Sequence, residues 1–173
     1  MKRSELEHVI RAAGAITGSK NICVIGSQAI LGFLTDPPAE LVVSQEADIW
    51  PSDDPGKTDL IDGTIGELSP FHETFGYFAH GVGPETALLP ANWKSRAVTI
   101  CNPNTNGYTG ICIHPLDIAI SKLHAGRPKD HVYVRGMIDK KLVSALEIRQ
   151  ITEAEVPDAA RRRVTDNLEI ALR

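Results

Sequence analysis

The sequence predicts an α+β fold, in which a small mixed β-sheet has helices packed on it and is followed by a helical C-terminal part. Three observations support this fold class. Short apolar, strand-like runs recur between residues 21 and 113, helical periodicity dominates from residue 114 onward, and a length of 173 residues suits one core. We therefore expect a single domain over residues 1–173, made of an α/β core at residues 1–113 and a helical lobe at residues 114–173.

The first predicted elements alternate between helix and strand. Apolar residues at helical spacing predict an amphipathic helix over residues 5–16. The run "NICVI" at residues 21–25 predicts a buried strand, and "SQAILGFL" predicts a short helix that begins near Ser27. The next apolar run predicts a second strand through residues 41–49.

The middle of the chain is predicted to be mostly loop and strand, and its last third helical. Residues 51–72 are rich in Pro, Gly, Asp and Ser, with a short helix expected around "TDLIDGTIGEL". His114 and Pro115 are typical of a helix entry, and "KDHVYVRGMI", "KLVSALEI" and "PDAARRRVTDNLEIAL" predict three further helices. The remaining strands are predicted at residues 75–82, 96–100 and 110–113.

The composition excludes several classes of protein. Apolar residues make up 42% and charged residues 23% of the chain, which is typical of globular proteins and not of fibrous or disordered ones. No apolar run reaches the length of a membrane-spanning helix, and the first residues lack the apolar centre of a signal peptide, so we expect a cytoplasmic protein without a membrane partner. Three cysteines without close spacing argue against a disulfide framework and a cysteine-based zinc site.

Charged residues are distributed unevenly along the chain. Residues 36–68 contain nine acidic residues and one lysine, whereas residues 121–149 contain seven basic residues and three acidic ones. This distribution suits a site that binds a metal ion on one side and phosphates on the other. The alternative is two solvated surfaces of opposite sign.

A strand passes directly into a helix at Gly26-Ser27. A glycine at such a turn lets a ligand approach the backbone, and the helix start and the serine hydroxyl can hydrogen-bond a phosphate. Gly26 and Ser27 are therefore candidate phosphate contacts. The alternative is a turn that uses these residues only for steric fit and helix capping.

Two acidic residues lie two positions apart in "SQEADIWP", residues 44–51. Strand alternation puts Glu46 and Asp48 on one face, with Ala47 and Ile49 on the other. Neighbouring carboxylates repel each other unless they share a proton or a cation, and Mg²⁺ prefers oxygen ligands. Glu46 and Asp48 are therefore candidate Mg²⁺ ligands, the alternative being a strand with one polar face in water.

Three basic residues and one acid cluster between two predicted helices. Lys122 lies near the end of one helix, and Arg127, Lys129 and Asp130 lie at the start of the next. Lysine neutralises phosphate as a point charge, and arginine can bind it through two hydrogen bonds, so we expect these residues to converge on a phosphate pocket. The alternative is that the bases only stabilise the end of a helix.

The order of these motifs resembles a known superfamily. Gly26-Ser27, a helix, and a strand bearing Ser44-x-Glu46-x-Asp48 resemble the Gly-Ser turn and T/S-x-D-x-D signature of the nucleotidyltransferase (DNA polymerase β-like) superfamily. Glutamate stands here where the family has its first aspartate. A register that began at Asp48 would place Trp50 at the second acid, whereas the Glu46/Asp48 register aligns Ser44 with the family's Thr/Ser.

The cluster from Lys122 to Asp130 resembles the distal motif of one branch of that superfamily, the AbiEii-like branch, which includes the AbiE-type and MenT-type toxins of toxin–antitoxin systems. The resemblance implies Mg²⁺-dependent transfer of a nucleotide from a nucleoside triphosphate to RNA, which is tRNA in the toxins, or to a protein hydroxyl. An antitoxin is then a candidate partner.

The resemblance also assigns roles to individual residues. It implies that Glu46 and Asp48 hold one or two Mg²⁺ ions and that Asp130 orients the phosphate or assists the acceptor. Lys122 would act in both catalysis and binding. The implied catalytic residues are Glu46, Asp48, Lys122 and Asp130, and the implied nucleotide contacts are Gly26, Ser27, Lys122, Arg127 and Lys129.

Family enzymes usually add a third carboxylate from another strand, and its position is open in this sequence. The candidates are Asp62, Glu73 and Glu85, and His72 and His80 are further candidates for metal or phosphate contacts. Two other functions also remain open. The chain can be a degenerate domain that binds nucleotide or RNA without catalysis, or a partner-binding protein that uses its C-terminal helices and "ARRRV" at residues 160–164.

Overall fold

The computed structural model describes residues 1–173 and confirms the predicted α+β class, with nine α-helices and one five-stranded sheet. The C-terminal part is entirely helical. The elements in chain order are α1 (Arg3–Thr17), β1 (Asn21–Ile25), α2 (Ile30–Phe33), β2 (Glu46–Pro51), α3 (Thr58–Ile65), α4 (Pro70–Phe75), β3 (Phe78–Gly81), α5 (Trp93–Arg96), β4 (Val98–Ile100), β5 (Thr109–Cys112), α6 (Pro115–Ala125), α7 (Pro128–Asp139), α8 (Ala145–Glu155) and α9 (Asp158–Leu172).

The sheet is mixed, as predicted, and its strand order is β3-β2-β1-β5-β4. Strand β1 pairs antiparallel with β2 and parallel with β5, while β2 and β3 are parallel. Ile22 to Ile25 of the central strand are all buried, which fits a strand covered on both faces. In this register Asp48 is opposite Ile25 on one side and opposite His80 on the other.

One hydrophobic core continues from the sheet into the helical lobe. Helix α1 buries Leu6, Val9, Ile10 and Ala13, the apolar face that its periodicity predicts. Helix α6 is buried over most of its length and packs against α2, α7, α8 and α9. Helix α6 is therefore the centre of the helical lobe.

An ion-pair cluster also joins the two parts of the chain. Arg96, at the end of α5, lies 2.7 Å from Asp117 of α6 and 2.8 Å from Glu155 of α8. Asp117 is fully buried, so its pairing with Arg96 offsets the cost of burying a charge.

The predicted start of the second strand is wrong. Residues 41–45 do not belong to β2, because the chain forms a short 3₁₀-helix at Ala39–Leu41 and joins the sheet only at Glu46. The N-terminal ammonium group of Met1 donates hydrogen bonds to the carbonyls of Val42 and Ser44, so these carbonyls are satisfied without a partner strand.

Two other predicted strands begin too early. Residues 70–75 form α4, since Ser69 caps it, Pro70 occupies its first position and Gly76 ends it with a φ of 76°. Strand β3 is therefore only Phe78–Gly81, and Arg96 belongs to α5 rather than to β4.

The predicted helix entry at His114 is confirmed. The His114 side chain accepts a hydrogen bond from the backbone N–H of Leu116, and Pro115 is the first helical residue. The short helix predicted after Lys57 is also present, as α3. In the last third, α8 begins at Ala145 after a Ser144 cap, because Lys141 has a positive φ of 59° that interrupts the helix predicted from residue 141.

None of the helices combines the length and hydrophobicity that crossing a bilayer requires.

Candidate metal and phosphate site

A cleft of about 810 Å³ opens between the sheet and helices α6 and α7. The sheet contributes acidic and imidazole side chains to its lining, and the helices contribute basic ones. Glu46, Asp48 and His80 line the sheet side, and Lys122, Arg127 and Lys129 line the helical side. The two oppositely charged segments of the sequence therefore meet in one cleft.

The acidic side of the cleft is built by strand alternation on β2. Ala47 and Ile49 are fully buried, whereas Glu46 and Asp48 face the cleft and are partly exposed. The structure thus confirms that the two carboxylates share one face. Trp50 at the next position on that face is buried against Trp93 and does not line the cleft, so it takes no part in the acidic pair.

His80 completes a cluster with the two carboxylates. Since β3 pairs with β2 in the register that places His80 opposite Asp48, its ring reaches the same face. The Nδ1 atom of His80 lies 3.0 Å from Oε1 of Glu46 and 3.4 Å from Oδ1 of Asp48. These three potential ligand atoms all lie within 4.8 Å of one another, a spacing that one metal ion can span.

The environment of Asp48 disfavours its charge. Burial and the neighbouring Glu46 carboxylate raise the pKa of Asp48 to about 6, although His80 acts in the opposite direction. Ionising both carboxylates at neutral pH therefore costs free energy, which a bound cation would recover.

The Gly26-Ser27 turn lies directly beside Asp48. Gly26 has a φ of 67° and a ψ of −162°, a backbone conformation that is essentially confined to glycine. A Cβ atom at this position would lie only 2.6 Å from Oδ2 of Asp48. Both the backbone and the packing therefore require glycine here.

The short helix predicted after the turn is present and begins at Ser27. It consists of a 3₁₀ turn at Ser27–Ala29 and the single-turn helix α2. Because a helix dipole builds up over aligned peptides, this segment contributes little positive charge. Gly26 and Ser27 line the cleft, where their phosphate binding stays a prediction; their contribution would be backbone and hydroxyl hydrogen bonds.

The basic side of the cleft is organised around Lys122. Its Nζ atom lies 3.4 Å from Oδ1 of Asp130 and 4.3 Å from the centre of the Tyr133 ring. Burial lowers the pKa of Lys122, and the charge of Asp130 opposes that shift. The aromatic ring and the carboxylate together hold a cation in a partly buried position.

Asp130 lies behind the cleft rather than in its lining. Its carboxylate is fully buried, with Oδ2 2.6 Å from Nε of Arg127 and Oδ1 facing Lys122. Burial opposes ionisation, but the hydrogen bonds and charges of Arg127 and Lys122 outweigh it and lower the pKa of Asp130. These contacts suit a residue that positions two cations, whereas the sequence resemblance implied a direct role with phosphate or acceptor.

Sequence reasoning missed Tyr133. Its hydroxyl donates a hydrogen bond to the carbonyl of Ser27 at 3.2 Å, and its ring lies under Lys122. Tyr133 thus connects the helical side of the cleft to the Gly-Ser turn. The available signal was its spacing of three residues from Asp130, which places both on one face of α7.

The other candidate residues lie outside the cluster. Asp62 accepts a hydrogen bond from the backbone N–H of Gly81, and Nδ1 of His72 accepts one from Leu68. Glu73 and Glu85 do not line the cleft. His80 is therefore the only one of the five candidates that joins Glu46 and Asp48.

The arginines of the "ARRRV" segment are engaged on the surface of α9. Arg161 pairs with Asp158 at 2.8 Å, Arg162 faces Asp166 at 3.5 Å, and Arg163 donates to the carbonyl of Ala125. They do not add to the basic side of the cleft.

Comparison of the chain with protein-family models, with curated proteins and with solved structures gave no match in any of the three.

Proposed function

We propose that the chain is a metal-dependent nucleotidyltransferase, which moves a nucleoside monophosphate from a nucleoside triphosphate to a hydroxyl group of RNA or protein. The observation that carries the proposal is that Glu46, Asp48 and His80 line the same cleft as Lys122 and Arg127. A metal-binding cluster facing a set of cations suits a triphosphate, because transfer of its α-phosphate requires charge neutralisation on both sides.

The residues that line the cleft would have separate roles in the reaction. Glu46 and Asp48 would hold a divalent cation, for which the sequence predicts Mg²⁺. That cation, when bound, would polarise the α-phosphate and stabilise the leaving pyrophosphate. Lys122, Arg127 and Lys129 would neutralise the phosphate oxygens, and the Gly26-Ser27 turn would hydrogen-bond them.

The cleft also offers apolar surface for a nucleobase. Val43 and Val132 both line it, and they are 79% and 73% exposed. Large exposed apolar side chains beside a charged cleft are suited to cover the flat face of a base.

The reaction would form a bond between the acceptor oxygen and the α-phosphorus and break the bond from that phosphorus to the oxygen bridging to the β-phosphate. Pyrophosphate would leave toward the cations. The acceptor's proton would pass to a carboxylate oxygen of the Glu46–Asp48 pair, which borders the same space. Positioning and charge neutralisation would supply most of the rate enhancement.

The sequence resemblance extends the proposal to the biological setting. A toxin of a toxin–antitoxin system that modifies tRNA in the cytoplasm, with an antitoxin as partner, fits the motif from Lys122 to Asp130. The competing candidate is a domain that binds nucleotide or RNA without catalysis, which is favoured by the presence of two carboxylates and an imidazole where active family members usually have three carboxylates.

Labelling experiments test the proposal. The protein is incubated with total RNA, a divalent cation and each nucleoside triphosphate labelled at the α-phosphate, and wild type is compared with Asp48→Ala and Lys122→Ala. We expect label in RNA or in the protein itself for wild type, and a loss of at least about 100-fold in both variants, because they remove a metal ligand and a phosphate contact.

Asp54→Ala and Arg162→Ala are the matched controls, since they remove an exposed acid and an exposed base outside the cleft. Both should label as wild type does. Absence of transfer by the wild-type protein, together with measurable nucleotide binding that Lys122→Ala abolishes, would favour the non-catalytic candidate. Transfer from γ-labelled rather than α-labelled nucleotide would contradict nucleotidyl transfer.

A further inference from the structure

We infer that His80 is a metal ligand and that it gives this site a preference for Mn²⁺ over Mg²⁺. The inference rests on the metal-binding part of the proposed function and goes beyond it, because it identifies the third protein ligand and the class of ion. It concerns only the cluster of Glu46, Asp48 and His80, so it can be tested without knowing the nucleotide or the acceptor.

The position of His80 is fixed by the sheet. It lies opposite Asp48 in the parallel pairing of β2 and β3, and Gly81 after it is anchored by Asp62 through a backbone hydrogen bond of 2.8 Å. The β3 backbone is therefore fixed at His80 by pairing with β2 and at Gly81 by the hydrogen bond to Asp62. A ligand on a strand that is fixed in this way needs little rearrangement to bind an ion.

The spacing of the three side chains fits one ion. In an octahedral site with ligand distances of about 2.1 Å, neighbouring ligand atoms lie about 3 Å apart. Nδ1 of His80 lies 3.0 Å from the nearer oxygen of Glu46 and 3.4 Å from that of Asp48. Nε2 of His80 makes no hydrogen bond to the protein and can carry the proton that a ligating Nδ1 must lack.

The Asp48 carboxylate borders the cleft on one side and the backbone of Gly26 on the other. A Cβ atom at position 26 would lie 2.6 Å from Oδ2 of Asp48, so glycine at this position lets the carboxylate keep its place beside Glu46 and His80.

The chemistry of the three ligands decides the ion. Mg²⁺ binds almost entirely through oxygen and keeps several waters, whereas imidazole nitrogen is a ligand for first-row transition ions. Mn²⁺ is a first-row transition ion that carboxylate and water oxygens also suit, so one imidazole nitrogen in the ligand set disfavours it less than it disfavours Mg²⁺. A cluster of two carboxylates and one imidazole beside a phosphate-binding surface therefore suits Mn²⁺ better than Mg²⁺.

A different role for His80 makes a different prediction. If His80 served only as a positively charged partner of the two carboxylates, a bound cation would displace its ring. The nitrogen would then not contact the ion, and the preference between the two ions would not depend on the imidazole.

The test measures metal binding directly, in the absence of nucleotide. Free Mn²⁺ is followed by electron paramagnetic resonance while Mn²⁺ is added and then displaced with Mg²⁺, and electron spin echo modulation detects nitrogen bound to Mn²⁺. The variants are His80→Asp, which supplies a third carboxylate, and His80→Ala. His131→Gln is the control, because this histidine lies on α7 outside the cleft and glutamine can keep its hydrogen bond to Asn167.

For wild type and His131→Gln we expect nitrogen modulation and a clear preference for Mn²⁺. In His80→Asp the nitrogen modulation should disappear and the ratio of Mn²⁺ to Mg²⁺ affinity should fall about tenfold or more, as expected for the loss of a ligand. His80→Ala should lose Mn²⁺ affinity by about tenfold or more, with far-UV circular dichroism reporting that it is folded.

Wild-type protein that binds Mn²⁺ without nitrogen modulation, or an unchanged affinity ratio in a folded His80→Asp, would overturn the inference and leave the proposed function standing. Absence of binding of both ions to wild type would overturn the inference and remove the metal basis of the proposed function. Confirmed Mn²⁺ binding through His80 without any transfer of labelled nucleotide would uphold the inference and count against the proposed function alone.

Discussion

Gly26 and Asp48 are packed so closely that the Asp48 carboxylate occupies the place where a side chain at position 26 would lie. A Cβ atom at position 26 would lie 2.6 Å from Oδ2 of Asp48, and the φ of 67° with a ψ of −162° is accessible essentially to glycine alone. The Gly-Ser turn and the acidic pair are therefore one structural unit. Any change at the turn should be felt at the carboxylate.

Gly26→Ala should damage both stability and metal binding. The backbone strain alone is worth about 1–3 kcal/mol, so the free energy of unfolding in urea should fall by about that amount. The added methyl group also has to displace the Asp48 carboxylate, and we expect at least about tenfold weaker Mn²⁺ affinity by titration.

Gly76→Ala is the control for Gly26→Ala. Gly76 also has a positive φ, of 76°, but a Cβ there would meet no atom within 4 Å. It should lower stability and leave Mn²⁺ affinity at the wild-type value. Equal loss of affinity in the two variants would mean that metal binding reports overall stability rather than the contact with Asp48.

Asp48→Asn should stabilise the metal-free protein above pH 6. The pKa of Asp48 is raised from 3.8 to about 6 by burial and by Glu46, so the folded state holds a proton that the unfolded chain has lost. Stability of wild type should therefore fall as pH rises from about 4 to about 6 and remain reduced above that range. Because the side chain is 33% exposed, solvent screening reduces the effect to about 1 kcal/mol.

Unfolding of wild type and Asp48→Asn between pH 4 and pH 8 measures this difference. Asparagine removes the ionisation, so the variant should lack that part of the decline. Saturating Mn²⁺ should reverse the order of stability, because it stabilises only the protein that keeps the carboxylate. An Asp48→Asn protein that is less stable than wild type at pH 7 without metal would contradict the assigned effects of burial and of Glu46 on the pKa of Asp48.

The local motifs of the site could be predicted from the sequence, but the residues that other strands bring next to them could not. Alternation on β2 was sufficient to place Glu46 and Asp48 on one face, and the proline and capping pattern placed the start of α6. The pairing of β2 with β3 could not be predicted, because it depends on the long-range register that sets His80 opposite Asp48. The imidazole was therefore one of several candidates until the sheet was known.

The same limit applies to the helical side of the cleft. The sequence places Asp130 in a cluster of charged residues that is typical of a functional site. Its burial and its ion pairs with Lys122 and Arg127 depend on tertiary packing. The predicted start of β2 at residue 41 was wrong for a related reason, since the strand begins only at Glu46. The carbonyls of Val42 and Ser44 are satisfied by the N-terminal ammonium group, more than forty residues away in the chain.

Asp130→Asn should destabilise the protein strongly. It leaves Lys122, whose pKa is already lowered by burial, without its charged partner, and loss of one member of a buried ion pair costs about 3–5 kcal/mol. Nucleotide affinity should fall as well, because Arg127 loses the carboxylate that holds its guanidinium. Chemical denaturation and calorimetric titration with a nucleoside triphosphate measure the two effects.

A double-mutant cycle separates the pairing from the burial. Lys122→Met removes the cation that Asp130→Asn leaves unpaired, so the double variant should be destabilised by less than the sum of the two single variants. Strict additivity would show that Asp130 and Lys122 do not depend on each other. Asp139→Asn, which breaks an exposed pair with Arg135, should cost less than about 1 kcal/mol.

Tyr133→Phe should weaken nucleotide binding without removing the aromatic support of Lys122. It deletes the hydrogen bond from the tyrosine hydroxyl to the Ser27 carbonyl, worth about 1 kcal/mol, and keeps the ring under Lys122. The turn should then be held less firmly, so nucleotide affinity measured by calorimetry should decrease a few-fold. Tyr77→Phe is the matched control, because it removes a hydroxyl contact to Nδ1 of His8 outside the cleft. It should lower stability by a similar amount and leave nucleotide affinity unchanged. Equal losses of affinity in the two variants would exclude a specific link between Tyr133 and the turn.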